Sequence, residues 1–76
     1  MPKLPRITGE EAIKAFERIG FVEHHCTGSH HVLKREGHPF VLSIPAHKHK
    51  TLGPGLLNKL IRAAGITADQ FRDAIS

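Results

Sequence analysis

The 76-residue chain is long enough for one domain, and a domain of this size buries only about 60% of its unfolded surface, which argues against a large enclosed cofactor. Eleven Lys and Arg against seven Asp and Glu give a formal charge of +4 with the seven histidines neutral, a balance suited to polyanionic partners such as nucleic acid. The single cysteine, Cys26, excludes an intramolecular disulfide. The absence of a ~20-residue apolar run and of a signal-peptide pattern in MPKLPRITGEE leads us to expect a soluble cytoplasmic protein without a membrane partner.

Thr8-Gly9-Glu10-Glu11 reads as a capping box, with Thr8 as N-cap and Glu11 three residues on. Ala12, Ile13, Phe16 and Ile19 follow at helical spacing, and Gly20 suits a left-handed helix end. The first helix is therefore predicted over residues 9–19. From Phe21 the period shortens: residues 21–25 read as a strand, Thr27-Gly28-Ser29 as a turn, and residues 30–35 as a second strand. Glu36-Gly37-His38 reads as the next turn. Residues 39–44 read as a third strand with Phe40, Leu42 and Ile44 on one face, Pro39 being tolerable only at its start or on an edge. Residues 45–53 form a polar, basic loop. Pro54 then opens a helix with Leu56, Leu57, Leu60, Ile61 and Ala64 as its apolar stripe, which Gly65 ends. Thr67-Ala68-Asp69-Gln70 is a second capping box, before a last helix with Phe71 and Ile75 inward. The predicted class is α+β, in the order α-β-β-β-α-α: one domain over residues 1–76, with a three-stranded antiparallel sheet and helices on one face.

Chemistry concentrates on histidine, which changes protonation near neutral pH. In Gly28-Ser29-His30 a histidine follows a glycine turn, and glycine lets a phosphate approach the backbone closely. Successive strand residues point to opposite faces. His30 is thus predicted to share a face with Val32 and Lys34, and His31 the other with Leu33 and Arg35. His47-Lys48-His49 and the adjacent histidine pairs offer nitrogen ligands, but their spacing matches no zinc finger or His-Glu-x-x-His helix, and Lys48 and Lys50 would repel a dication. No metal or other cofactor is expected. No Gly-x-Ser-x-Gly elbow or phosphate-binding Gly-x-x-x-x-Gly-Lys loop is present. What remains is a histidine in a basic surround: Lys34, Arg35, Lys48, Lys50, Lys59 and Arg62 can neutralise a phosphate backbone. RNA carries its own nucleophile in the 2′-hydroxyl, so a histidine that transfers one proton and cations that stabilise the charged phosphorane are compatible with metal-independent cleavage.

Three segments carry a resemblance to a known family. These are Leu4-Pro5-Arg6-Ile7-Thr8-Gly9 leading to Ile19-Gly20-Phe21; Gly28-Ser29-His30-His31; and Ile44-Pro45-Ala46-His47 followed by Leu52, Gly55, Leu57 and Ala64-Gly65-Ile66. In this order and spacing the chain resembles the HicA-type mRNA interferase toxins along nearly its whole length. The resemblance implies a fold like that of double-stranded RNA-binding domains, an endoribonuclease that cleaves mRNA and arrests translation, and a HicB-type antitoxin that covers the site. It puts the catalytic histidine at His30 and gives His47 a supporting role. Gly28, Ser29, Lys34, Lys48 and Lys50 are the candidate RNA contacts. The chain departs from the family pattern at His25-Cys26-Thr27, where basic or amide side chains are common, and at Leu56, where a hydroxyl is common. The alternatives are a non-catalytic RNA-binding module, which reads A-form RNA by shape and phosphate contacts, and a structural subunit that associates through its histidines.

Overall fold

In the computed structural model, which describes residues 6–47 and 50–75, Thr8 caps helix α1 (Gly9–Ile19) through the expected capping box. Thr8 Oγ1 accepts the Glu11 N–H at 3.2 Å, and the Glu11 carboxylate accepts the Thr8 N–H at 3.0 Å. At the other end Gly20 adopts φ 118°. Its N–H bonds to the Glu17 carbonyl, and the Phe21 N–H reaches back to that of Phe16. This paired termination brings the following apolar residue onto the last turn: Phe21 packs edge-on against Phe16 at 6.0 Å. Phe21 is thus a core residue between helix and sheet rather than the first residue of a strand.

Strands β1 (Val22–Thr27), β2 (His30–Lys34) and β3 (Leu42–Pro45) form the antiparallel sheet in the order β1-β2-β3. A two-residue turn, Gly28-Ser29, joins the first pair, with Thr27 opposite His30. Gly28 has φ 60°, the positive value that matches a tight hairpin to the twist of its strands. The register of β1 against β2 shifts between Glu23 and His25, so His24 is the extra residue of a bulge. All six residues of β1 are exposed. Its VEHHCT sequence supplies no alternating apolar face, and the helices cover the sheet on the β2–β3 side.

Two expectations for the β3 region and one for the following helix are corrected. The third strand starts at Leu42, not Pro39, and Phe40 does not join Leu42 and Ile44 inside: it is 61% exposed. The cause is His38. Its ring packs edge-on against Phe21 at 5.5 Å, and its Nε2 hydrogen-bonds the Ala63 carbonyl at 2.6 Å. That docking holds the segment off the sheet, and it rejoins only after Pro39, Phe40 and Val41. The other correction concerns Leu56, which lies at the exposed edge of helix α2 (Pro54–Ala64) while Leu57, Leu60, Ile61 and Ala64 are buried.

Helix α3 (Ala68–Ile75) is capped reciprocally by Thr67 and Gln70, and its Phe71 packs against Phe16 at 5.0 Å. Phe16, Phe21, Phe71, Leu33, Leu42, Ile44 and Leu57 are the largest fully buried side chains. The basic loop also contributes to the core. Leu52 is buried, its N–H bonds to the Ile7 carbonyl at 2.8 Å, and Thr51 bridges Thr8. Among the described residues no helix is long and apolar enough to cross a membrane.

Gly9 packs where no other residue fits. A Cβ there would stand 2.1 Å from the Pro45 carbonyl oxygen and 2.7 Å from the Ala46 Cα. Gly→Ala in an exposed helix is ordinarily stabilising by about 1 kcal/mol. Gly9→Ala is predicted to reverse that sign and lose about 1–3 kcal/mol by overpacking, read as a lower urea midpoint.

Candidate functional site

The hairpin turn and the end of β3 meet because the meander is antiparallel. The chain leaving β3 arrives beside the start of β2, with Pro45 opposite His30. The Ala46 N–H then donates to the Ser29 carbonyl at 2.7 Å, which ties the end of β3 to the Gly28-Ser29 turn. One residue later His47 comes over this junction. Its Nε2 lies 3.4 Å from Ser29 Oγ, and its ring stands nearly perpendicular to that of His30, 82° at a centroid separation of 6.5 Å. The Lys50 N–H donates to the His47 carbonyl at 3.1 Å, turning the loop back.

The site is an exposed ridge. His30 and His47 are exposed and Ser29 is half-buried. The space where a Gly28 side chain would project is open, with nothing within 4 Å. A strand of polyanion can therefore lie against the turn and reach both imidazoles. Of the sequence-derived candidates, Gly28, Ser29, His30 and His47 are brought together, and exposed Lys50 lies on the loop that follows. Lys34 shares the outward face of β2 with His30 but sits four residues along it, about 13 Å away at strand spacing. Lys48 lies outside the described residues. α2 begins without a side-chain cap hydrogen bond because its N-cap residue is Gly53.

His31 belongs to a different array. It points to the helix-side face with Leu33, Leu42 and Ile44, as the alternation along β2 requires. Its Nδ1 hydrogen-bonds the Glu23 carboxylate, and its Nε2 lies 3.7 Å from Cys26 Sγ. The Cys26 thiol also lies 3.3 Å from the Gly28 carbonyl. Both ring nitrogens of His31 thus face polar partners, the Glu23 carboxylate at Nδ1 and the Cys26 thiol at Nε2. Glu23 escapes sequence reading because the bulge at His24 changes which β1 residues face His31. The proximity of His30 and His47 follows from the antiparallel order together with the register that sets Pro45 opposite His30.

Among the described residues no three His, Cys, Asp or Glu side chains converge to hold a metal ion. A hollow of about 240 Å³ between α1 and α3, lined by Glu11, Lys14, Ala15, Arg18, Ala74 and Ile75, contains none of the site residues.

The two adjacent histidines are predicted to differ in stability effect. His31→Ala loses its partners and should cost about 1 kcal/mol. His30→Ala, exposed and outside the core, should stay within about 0.5 kcal/mol. Urea denaturation of the two variants reads the difference.

A family model described as HicA toxin of bacterial toxin-antitoxin matches residues 9–66, from the first residue of α1 to the residue after Gly65. No curated protein matches the chain.

Proposed function

We propose, since this chain belongs to the HicA toxin family of bacterial toxin–antitoxin systems, that it is a toxin ribonuclease that cleaves mRNA in the cytoplasm without a metal. The observation that carries this reading is the setting of His30. It is exposed beside an unobstructed glycine turn, on the outward face of β2, with its ring near that of His47. In the proposed reaction the RNA 2′-oxygen attacks the adjacent phosphorus as its proton leaves. The bond from phosphorus to the 5′-oxygen breaks, and that oxygen takes up a proton. The products are a 2′,3′-cyclic phosphate and a 5′-hydroxyl end. His30 carries out one of these proton transfers, a contribution of about 10²–10⁴-fold.

Gly28 and Ser29 bring backbone close to the phosphate, and Lys34, Lys48 and Lys50 neutralise the neighbouring backbone charge. A HicB-type antitoxin is the proposed protein partner, neutralising the toxin by covering the ridge. A non-catalytic RNA-binding module would use the same cations without needing His30.

Incubating RNA with the protein in excess chelator separates the two. Cleavage is expected to persist in chelator and to fall by at least about 100-fold in His30→Ala, while RNA binding is retained. Retardation of intact RNA by the wild-type protein, or full cleavage by a folded His30→Ala protein, rejects the mechanism. Lys50→Ala is expected to flatten the dependence of log affinity for single-stranded RNA on log salt by about 0.7, the value of one lost phosphate contact.

A further inference from the structure

Cleavage of RNA through its own 2′-hydroxyl needs two proton transfers, and a single imidazole supplies one of them at a time. Resting on the reading of His30 as one transfer group, we propose that His47 is a second catalytic residue and performs the complementary transfer. The rings of His30 and His47 stand 6.5 Å apart and nearly perpendicular. That gap admits one phosphodiester against both rings, so that one imidazole reaches the 2′-oxygen and the other the 5′-oxygen within the roughly 2.6–3.2 Å of proton transfer.

The other titratable neighbours are less suited. His31 is on the opposite face, with Nδ1 held by Glu23 and Nε2 directed at Cys26. Lys50 provides charge on the loop after His47.

Ser29 makes the arrangement workable in both protonation states. Its hydroxyl lies 3.4 Å from His47 Nε2, and a hydroxyl both donates and accepts. It can donate to Nε2 when that nitrogen is bare, or accept from it when it carries a proton. Either way His47 Nδ1 is left for the substrate. The protons balance across the step: one imidazole takes the 2′-hydroxyl proton as the new oxygen–phosphorus bond forms, and the other, entering as imidazolium, gives its proton to the departing 5′-oxygen. Solvent exchange restores both.

Three substitutions and one modified substrate test this. His47→Ala and His47→Gln are each expected to lose 10²–10⁴-fold in single-turnover cleavage, because Gln can keep the Ser29 hydrogen bond but cannot transfer a proton. An RNA whose scissile 5′-oxygen is replaced by sulfur leaves as a thiolate and needs no protonation. It is expected to restore the rate of one of the two variants His30→Ala and His47→Ala and not the other, the restored variant lacking the acid. The proposal is overturned if His47→Gln cleaves within about 3-fold of wild type, if His47→Ala does so, or if the sulfur substrate restores neither variant or both. A folded His30→Ala protein with wild-type cleavage of ordinary RNA instead removes the reading on which the proposal rests.

Discussion

The approach of Gly9 to the Pro45–Ala46 backbone organises both the core and the candidate site. A helix can start against a strand end at this distance only if its first residue has no side chain. With that contact made, Thr8 caps α1 and bridges Thr51, and Leu52 bonds back to Ile7. The same stretch of backbone extends in the other direction to the hairpin, where Ala46 bonds to Ser29. Helix start, strand end and turn are thus joined in one continuous backbone junction, and His47 is the first side chain beyond it. The position of His47 over His30 is therefore set by main-chain packing and not by the side chains themselves.

The hairpin divides its histidines by parity. His30 and His31 are neighbours in sequence but emerge on opposite faces of β2 into unlike surroundings. One meets an open ridge with a second imidazole. The other meets a carboxylate and a thiol. The bulge at His24 sharpens the division, because it brings Glu23 to the face where Cys26 already stands opposite His31. Histidine count alone does not convey this. Seven histidines in so short a chain suggest a metal-binding surface, whereas strand alternation separates the pair and the meander joins His30 to a residue 17 positions away in sequence.

The helices were legible because their signals are local. Thr8 with Glu11, Thr67 with Gln70, and the glycines at 20 and 65 each act within one turn of backbone, and α1 has the bounds its spacing predicts. The α-β-β-β-α-α order followed from the change of period at Phe21 and the turn at Gly28. What could not be read depends on partners distant in sequence. The apolar alternation of residues 40–44 pointed to one strand face, but His38 reaches Ala63 and Phe21 and lifts Phe40 out. Leu52 lies in a stretch of polar sequence, and its burial depends on the bond to Ile7, 45 positions away. At the site, Gly28-Ser29-His30 stood out through glycine and histidine chemistry, while the Ser29 link to Ala46 and His47 required the end of β3 to be located.

The exposure of β1 has a consequence for how such a chain can change over generations. The fold is held by Phe16, Phe21, Phe71 and the apolar residues of β2, β3 and α2, and no β1 side chain is among the buried residues. Substitutions at exposed positions usually shift stability by no more than about 0.5 kcal/mol, and weakly buried segments open locally without global unfolding. Apart from Glu23 and Cys26, which face His31, the strand that leads into the Gly28 turn can consequently change in sequence at little cost to the fold. Variation in His25 and Thr27 can reshape the surface beside the Gly28 turn while the scaffold remains intact, without first acquiring stability elsewhere.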